Sequence, residues 1–346
     1  MQKIQVLTDF KALDDLVVVN LEVSLWSAQK KMAPEDLGAK NLPPEELATL
    51  GSKRVADPKS LLIFKTLKCR ANTLLERNGI RFLNGYAIPA SKAPMIVEEL
   101  IKIRTDFNNA KNAFLAGYDE DIEAWIAKHQ EWGDIIRNST DSSEYVRSRM
   151  DFRWHLFRVY PASDKKDSIV GLESGLAEEV TGLGSTLFAE VASAADDMLR
   201  RVYEGRDEVN HKALSPLRTL RDKLAGLTFV EPRVAPVVAL VDEAIKRIPR
   251  RGNINGPDLL MLRGLVQMLK DTDTLVEEAQ RLIEGNAPTS VLDAILNQSL
   301  PASDLSVDGF TVDAPVPTTS ASHNEQRFDP PMVAKSTPNI NSLGLW

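Results

Sequence analysis

The spacing in this sequence that comes closest to a metal site is a single Glu-x-x-His pair, Glu208 and His211. Helical di-iron carboxylate sites use two such pairs together with further glutamates. The chain has no second pair, and its histidines, at positions 129, 155, 211 and 323, are too scattered for a local ligand motif. We therefore predict a solvated helix end at Glu208 and His211, with no metal or other cofactor.

Two further patterns could suggest nucleotide binding or nucleophilic chemistry. Residues 181–186 read TGLGST, but no lysine follows as a phosphate-binding loop requires, so we interpret these glycines as helix-packing residues. Cys69 lies between a lysine and an arginine, which would activate a surface thiol, but the position also fits a helix interior and we predict a buried thiol. Adjacent acids such as Glu98 and Glu99 point apart on a helix. We expect no enzyme activity.

Basic residues are concentrated between Lys212 and Arg251, where nine lysines and arginines accompany four acids. Cations can gather at a helix C-terminus because the helix dipole favours them there, and the sequence favours this interpretation. The formal net charge of −7 also argues against general coating of nucleic acid. The alternative is a phosphate-binding corner made by Lys246, Arg247, Arg250 and Arg251.

The elements that must carry these residues are mostly helices. The clearest is predicted from about residue 171 to 205. Its opposite face holds charged residues such as Glu190, and its glycines each cost about 1 kcal/mol against alanine, so packing must compensate or the glycines admit a close neighbour. Eight apolar residues there recur at steps of three and four and share one helical face: Leu176, Val180, Leu183, Leu187, Val191, Ala194, Met198 and Val202.

The N-terminal region has mixed character. Alternating apolar residues over 16–26 predict a strand with one buried face, with a helix as the weaker alternative, and Trp26 is expected to anchor the end of the strand. Asp57, followed by proline, predicts a helix start, and Gly79 predicts its end in a left-handed C-cap. Residues 80–88 predict a second strand. Our hypothesis is that the two strands pair around the helix between them.

Beyond residue 90 the sequence predicts helices throughout. A heptad seam runs from Ile96 to Phe114, and Gly117 interrupts it. Residues 143–159 are predicted as one helix. Three tryptophans are interpreted as core residues rather than as a ligand cage, because they recur at helical spacing beside isoleucines: Trp125, Trp132 and Trp154.

Together these elements predict a mainly α fold. We expect a small α/β region over residues 1–90, an elongated helical bundle or coiled-coil hairpin over 91–298, and a disordered tail over 299–346 that is rich in Pro, Ser, Thr and Asp. The helical seams close either within one chain or between copies in a homo-oligomer. Because tryptophan is a frequent interface anchor, the end of the tail is interpreted as a docking peptide, against the alternative of a terminus without function: Leu343, Leu345 and Trp346.

The composition of the chain indicates its protein class and its cellular compartment. Its 346 residues are 43% hydrophobic and 26% charged, which is typical of a globular protein. The single cysteine excludes an internal disulfide and suits a reducing compartment. The sequence has no basic segment followed by an apolar leader, and no apolar run near the length of about 18 residues that a membrane span needs. We predict a cytoplasmic location and no membrane association.

Several phrases resemble one family: VVVNLEVSLWSAQKKM (17–32), LPPEELATLGSKRV (42–55), GLAEEVTGLGSTLFAEVA (175–192), KALSPLRTLRDKLAGLTFVEPRVAPV (212–237) and GPDLLMLRGLVQML (256–269). The family is the bacterial, phage and mobile-element domain of unknown function 3150, and the resemblance runs from about residue 10 to 285. It brings no catalytic residues. Its genes often lie near those for MoxR- or cobaltochelatase-like AAA+ ATPases and for proteins with von Willebrand factor A-type domains.

That resemblance implies an accessory role beside an ATPase. We therefore expect a non-catalytic cytosolic adaptor or structural subunit, with an AAA+ ATPase as the favoured protein partner. The alternative is a nucleic-acid-associated factor of phage or mobile-element DNA metabolism that uses the basic corner at residues 246–251.

Overall fold

The computed structural model describes residues 12–37, 43, 46–160 and 172–299. Helix predominates and the sheets are small and antiparallel, which confirms the predicted, mostly helical class. The elongated bundle or coiled-coil hairpin stays a prediction. Within the described ranges, no helix combines the length and apolar content needed to span a bilayer. The predicted tail lies outside the described residues from residue 300 onward.

The elements are numbered here in chain order. The strands are β1 (Leu16–Ser24), β2 (Gln29–Lys31), β3 (Ser52–Arg54), β4 (Ile80–Phe82), β5 (Gly85–Pro89), β6 (Asp151–Phe157), β7 (Glu208–Val209) and β8 (Ile254–Asn255). The α-helices are α1 (Pro34–Leu37), α2 (Leu62–Asn78), α3 (Ala93–Ala116), α4 (Tyr118–Lys128), α5 (Gly133–Ser139), α6 (Ser143–Arg149), α7 (Leu172–Thr181), α8 (Leu183–Met198), α9 (Ser215–Ala225), α10 (Val234–Arg247), α11 (Gly256–Lys270), α12 (Thr272–Ile283) and α13 (Pro288–Ser299).

The main sheet has four antiparallel strands in the order β4-β5-β1-β6. β1 lies in the middle, where Val18 opposes Ala87 of β5 and Phe157 of β6. The predicted strand at 16–26 and its pairing with the strand segment at 80–88 are therefore confirmed. That segment is a hairpin, β4 and β5, which turns at residues 83–84.

Each face of this sheet supports its own hydrophobic core. Val17 and Val19 of β1 belong to the N-terminal core, which packs under helices α2 to α6. Leu16 and Val18 belong to the C-terminal core, which packs against α7 to α13. Because successive strand residues point to opposite faces, the first half of β1 is buried on both sides. The prediction of one buried face is therefore wrong for this half of the strand.

Aromatic rings fill much of the N-terminal core. Trp26 is buried as predicted, and its ring contacts those of Phe114 and Tyr118 with centroids 6.3 and 5.7 Å away. Its indole nitrogen donates a hydrogen bond to Asp141 at 3.0 Å. The predicted heptad seam of α3 packs into this core and ends at Gly117, as expected.

The helix predicted after residue 57 begins with a 3₁₀ turn that continues into α2. Asp57 caps it by accepting a hydrogen bond from the backbone N–H of Lys59 at 2.9 Å. Gly79 follows its end in an extended conformation, φ −140°, so the predicted left-handed C-cap is wrong. Glycine is required here for space, because a Cβ atom would lie 2.6 Å from the carbonyl oxygen of Ala87.

The helix predicted over residues 143–159 is wrong in its second half. Ser142 caps α6 through the backbone N–H of Tyr145, and α6 ends at Arg149. Residues 151–157 instead form β6, which pairs with β1 along seven residues. The apolar side chains there satisfy a two-residue period as well as a helical one, and the open edge of β1 decides between them. β1 and β6 lie on opposite sides of the predicted boundary at residue 90 and share one sheet.

The long helix predicted at 171–205 is interrupted. α7 ends at Thr181, Gly182 is in a turn, and a π-helical turn, Leu199–Tyr203, follows α8. Gly184 is buried, and a Cβ atom there would lie 2.9 Å from a carboxylate oxygen of Glu231, so this glycine admits a close neighbour. Most of the predicted stripe is buried or half-buried, but Ala194 is exposed and Ala195 is buried in its place.

Candidate functional site: a charged cleft between α2, α8 and α9

A cleft of about 710 Å³ opens where α2, α8 and α9 meet beside β4. We call it the α2–α8–α9 cleft. Part of its lining is apolar, including the exposed Ala194, and part is charged. The lining residues are Thr73, Glu76, Arg77, Arg81, Glu190, Ser193, Ala194, Asp197, Met198, Arg201, Val202, Ser215, Pro216, Thr219, Leu220 and Lys223.

The innermost cation of the cleft is Lys223, which is 8% exposed and is the only charged side chain classed as buried among the described residues. Its ammonium group lies 2.6 Å from the Glu190 carboxylate and donates a second hydrogen bond to the carbonyl oxygen of Glu76 at 2.8 Å. A buried charge is tolerated when it is paired and hydrogen-bonded in this way.

Glu190 is anchored from a second side. Its other carboxylate oxygen accepts the backbone N–H of Arg81 in β4 at 3.1 Å. The pair of Glu190 and Lys223 therefore joins α8 and α9 of the C-terminal core to the end of α2 in the N-terminal core.

Helix ends explain why lysines occupy these positions. The last carbonyl groups of a helix have no partner within the helix, and the helix dipole favours a cation beside them. Lys223 satisfies Glu76 near the end of α2. Near the end of α9, Lys92 donates to the carbonyl oxygen of Asp222 at 3.1 Å, which also accepts the backbone N–H of Gly226 at 3.3 Å. Burial lowers the pKa of Lys92, and a Cβ atom on Gly226 would lie 2.8 Å from its ammonium nitrogen.

The rim of the cleft is richer in arginine. Arg81 lies 3.4 Å from Glu76 and its guanidinium stacks over the ring of Tyr86 at 5.6 Å. The Tyr86 hydroxyl donates to Glu76 at 3.0 Å. Burial and the Glu76 carboxylate raise the pKa of Tyr86 to about 12. Arg77 is exposed, and within the described part of the chain it has no ion-pair partner.

This arrangement is suited to recognition. The buried ammonium group of Lys223 and the half-buried carboxylate of Glu190 are engaged with each other and with backbone groups of α2 and β4. What the cleft presents outward is an apolar strip that includes Ala194, flanked by arginine side chains. Such a surface matches the composition of protein interfaces, where arginine is enriched.

This site is difficult to recognise from the sequence for two reasons. The local pattern predicts Glu190 on the solvent face of its helix, and Lys223 is one of nine cations in a basic stretch. A signal was present in α9, because Lys223 follows Leu217 and Leu220 at steps of three and therefore lies on the buried stripe.

The four residues of the predicted basic corner differ in how far they are exposed and paired. Arg247 is largely engaged: it lies 2.6 Å from Asp293 and donates to the carbonyl oxygen of Thr289 at 3.1 Å, which ties α10 to α13. Lys246 lies 3.4 Å from Glu243 but its side chain is 80% exposed. Arg250 and Arg251 are exposed, and neither has an ion-pair partner among the described residues.

Other cations between Lys212 and Arg251 also form ion pairs within the protein. Arg221 makes a two-point contact with Asp242 at 2.7 and 2.8 Å. Arg233 lies 2.6 Å from Glu231, the residue beside Gly184. Both of these acids already belong to the stretch, so among the described residues its positive excess is reduced only by Glu190 and Asp293, which pair with Lys223 and Arg247 from outside it.

The remaining predicted residues are not brought together. Glu208 is exposed in β7 and His211 begins a 3₁₀ turn, and in the described ranges no three metal-ligating side chains gather. The ring nitrogen Nε2 of His211 is buried and has no hydrogen-bond partner among the residues that the structure describes. Cys69 is exposed, so the predicted buried thiol is wrong: it lies on the outer face of α2, beside the buried stripe of Phe64, Leu67 and Ala71.

The tryptophan predictions have mixed outcomes. Trp125 and Trp154 are half-buried and pack against the N-terminal core. Trp132 is 52% exposed and lies in a 3₁₀ turn, so its assignment to the core is wrong. The predicted docking peptide at Leu343, Leu345 and Trp346 lies outside the described residues.

Comparison with known proteins identifies the chain at the level of family. The family model described as protein of unknown function (DUF3150) matches residues 13–271. The chain belongs to this family. The match spans the main sheet, both sides of the α2–α8–α9 cleft and the segment that carries Arg250 and Arg251. No curated protein and no solved structure matches the chain.

Proposed function

We propose that this member of the family is a non-catalytic cytosolic adaptor or structural subunit that works beside an AAA+ ATPase of the MoxR or cobaltochelatase class and a partner with a von Willebrand factor A-type domain. In this proposal the long helices present their outer faces to the partner, as an elongated bundle or coiled coil would. The ATPase partnership itself rests on the family resemblance.

The observation that carries the proposal is the pairing of Lys223 with Glu190 at the floor of the cleft. The pair links α8 and α9 to the end of α2 and stabilises the walls of the cleft. It leaves an apolar strip with arginines at its rim, which is a surface for binding a protein.

A binding measurement with purified proteins tests the proposal. The full-length chain is immobilised, and an AAA+ ATPase of the MoxR class encoded in the same gene neighbourhood is applied, with binding followed by interferometry. The cleft variant is Ala194→Lys, and the matched control is Ala124→Lys on the exposed face of α4. A chain that ends at Pro301 separates the cleft from the docking peptide.

Binding that Ala194→Lys weakens and Ala124→Lys leaves intact supports an adaptor that uses the cleft. Binding lost only on truncation assigns the contact to the tail. If the ATPase does not bind, or if both alanine variants bind like the wild type while truncation has no effect, this adaptor proposal is wrong.

A second candidate function is nucleic-acid association, and the exposure of Arg250 and Arg251 favours it. Phosphate contacts by such residues release counterions, so affinity falls steeply with salt. Anisotropy of labelled DNA at 50, 150 and 300 mM salt compares Arg250→Glu/Arg251→Glu with the equally exposed pair Arg147→Glu/Arg149→Glu. Salt-sensitive binding lost only in the first variant supports this candidate, and equal affinity in both contradicts it.

A further inference from the structure

β6 is an edge strand of the main sheet, with β1 on one side. The backbone N–H of Phe152 donates to the carboxylate of its neighbour Asp151 at 2.9 Å, so this group is outside the ladder with β1. Two residues earlier, the carbonyl oxygen of Met150 accepts from Lys111 at 2.5 Å. Because residues alternate in an antiparallel ladder, Phe152, Trp154 and Leu156 direct their backbone groups away from β1.

The outer edge of β6 has little protection. Natural edge strands are shielded by proline, lysine, bulges or a covering segment. β6 reads DFRWHLF and has no proline, lysine or glycine. No hydrogen bond joins Trp154 or Leu156 to a further strand in the part of the chain that is described. Leu156 is 40% exposed and Phe157 is 41% exposed, on opposite faces of the same strand end.

The two charged residues of the strand, Asp151 and Arg153, form an ion pair. Arg153 lies 3.4 Å from Glu22 and 3.1 Å from Asp151. An approaching strand therefore meets, on this face, a compact cluster of one guanidinium and two carboxylates rather than an unpaired cation.

We propose that β6 pairs antiparallel with β6 of a second copy of this chain, which extends the main sheet to eight strands across a two-fold axis. The axis passes through Trp154. This register is the one that places all three outward-directed residues opposite outward-directed residues: Trp154 faces the partner's Trp154, and Phe152 faces the partner's Leu156. The Trp154 pair exchanges two backbone hydrogen bonds, and each pair of Phe152 with Leu156 does so once the N–H of Phe152 turns from the Asp151 carboxylate to the partner strand.

The side chains fit the same register. Phe152 and Trp154 share the face of the N-terminal core, and Leu156 lies on that face as well. Aromatic and aliphatic side chains thus lie opposite one another across the new interface, where such pairs stabilise a sheet, and the exposed Leu156 becomes covered. On the other face Arg153 lies opposite the partner's His155. The contact uses the same patch on both copies and therefore closes as a dimer.

The first experiment measures the mass of the full-length chain by sedimentation velocity over a range of concentrations. The interface variant is Leu156→Lys, and the control is Leu62→Lys at a comparably exposed leucine on α2. Circular dichroism checks that both variants fold. We expect a dimer in the wild type and the control, and a dissociation constant raised about tenfold or more by Leu156→Lys, because a lysine on an edge opposes strand pairing.

The second experiment tests the register. In a Cys69→Ser background, chains that carry Arg153→Cys are mixed with chains that carry His155→Cys and are oxidised. The two positions face each other as a non-hydrogen-bonded pair with Cα atoms about 4.5 Å apart, within the range of a disulfide. We expect the mixed disulfide in preference to either homodimeric one.

A wild type that is monomeric throughout the concentration range overturns the proposal. So does a dimer that Leu156→Lys leaves intact, or one in which the mixed disulfide does not form preferentially.

Discussion

Lys223 of α9 and Glu190 of α8 form an ion pair of 2.6 Å, and Lys223 also donates a hydrogen bond to the carbonyl oxygen of Glu76 near the end of α2. The two cores of the molecule are therefore joined by a polar cluster as well as by the sheet between them. Removing one partner leaves the other charge unpaired in a partly desolvated site, whereas removing both partners leaves no unpaired charge.

We expect Lys223→Met and Glu190→Gln each to lower the free energy of unfolding by about 2–3 kcal/mol. The double variant should lose clearly less than the sum, which a double-mutant cycle in urea measures. Lys246→Met is the control, because its side chain is 80% exposed and its loss should cost about 0.5 kcal/mol or less. Additive losses would show that the pair contributes no coupling.

Gly79 and Gly117 follow consecutive long helices but differ in the space around them. A Cβ atom at Gly79 would lie 2.6 Å from a backbone oxygen, whereas one at Gly117 would have no atom of the described residues within 4 Å. Gly79→Ala should destabilise the fold by about 1–3 kcal/mol through overpacking. Gly117→Ala should be neutral or stabilising by up to about 1 kcal/mol. Thermal unfolding of the two variants compares them, and equal effects would contradict the geometry.

Acid should weaken the start of α12. The Asp271 carboxylate accepts the backbone N–H groups of Thr274 and Asp273 at 3.0 and 3.1 Å, and the bond from Thr274 contributes most to lowering its pKa. A lowered folded-state pKa gives stability that is complete above the ordinary value near pH 4 and is lost as the pH falls through the folded value.

The test of this acid dependence is the urea midpoint between about pH 6 and pH 2.5 for the wild type and Asp271→Asn. Asparagine keeps a capping oxygen but cannot titrate. The difference between the two proteins should be largest at the upper end and shrink toward the lower end. A constant difference would mean that the Asp271 carboxylate does not contribute to the acid dependence.

Arg247 and Arg250 should behave differently although both belong to the predicted basic corner. Arg247→Ala removes the contacts to Asp293 and Thr289 and should loosen α13, with a stability loss of about 1 kcal/mol because the ion pair is partly exposed. Arg250→Ala should leave stability unchanged. Hydrogen exchange over residues 288–298 measures the difference, and equal protection in the two variants would count against a structural role for Arg247.

Cys69 should be reactive in the folded protein, because it is exposed on the outer face of α2. Ellman's reagent should titrate one thiol per chain without denaturant, at a rate close to that in urea. Slow labelling that urea accelerates strongly would show that the thiol is covered in solution.

The sequence predicted the elements whose signals are local. The alternation in β1, the cap at Asp57 and the heptad seam of α3 all lie within short windows, and the structure contains each of them. The pairing of β1 with the segment at 80–88 could also be predicted, because both segments carry a local strand pattern and the helix α2 leads directly into the second.

What could not be predicted depends on distant partners. Residues 151–157 fit a helix by spacing and form a strand because β1 offers them an edge. Glu190 lies on the polar side of the amphipathic pattern of its helix. Only the approach of Lys223 from α9 makes its carboxylate the hydrogen-bond acceptor for a buried ammonium group. The exposure of Cys69 and Trp132 likewise follows from which helix faces find neighbours, which spacing alone does not determine.

The position of β1 in the sheet also fixes an order of events during synthesis. Its neighbour β5 begins at Gly85 and pairs in turn with β4, whereas its other neighbour, β6, begins only at Asp151. Until β6 has been synthesised, one edge of the apolar strand β1 has no hydrogen-bonded neighbour, and unpaired strand edges promote aggregation. The long α3 and the helices after it are made during this interval and cover one face of the sheet, so the nascent chain shields its hydrophobic strand before the last strand arrives.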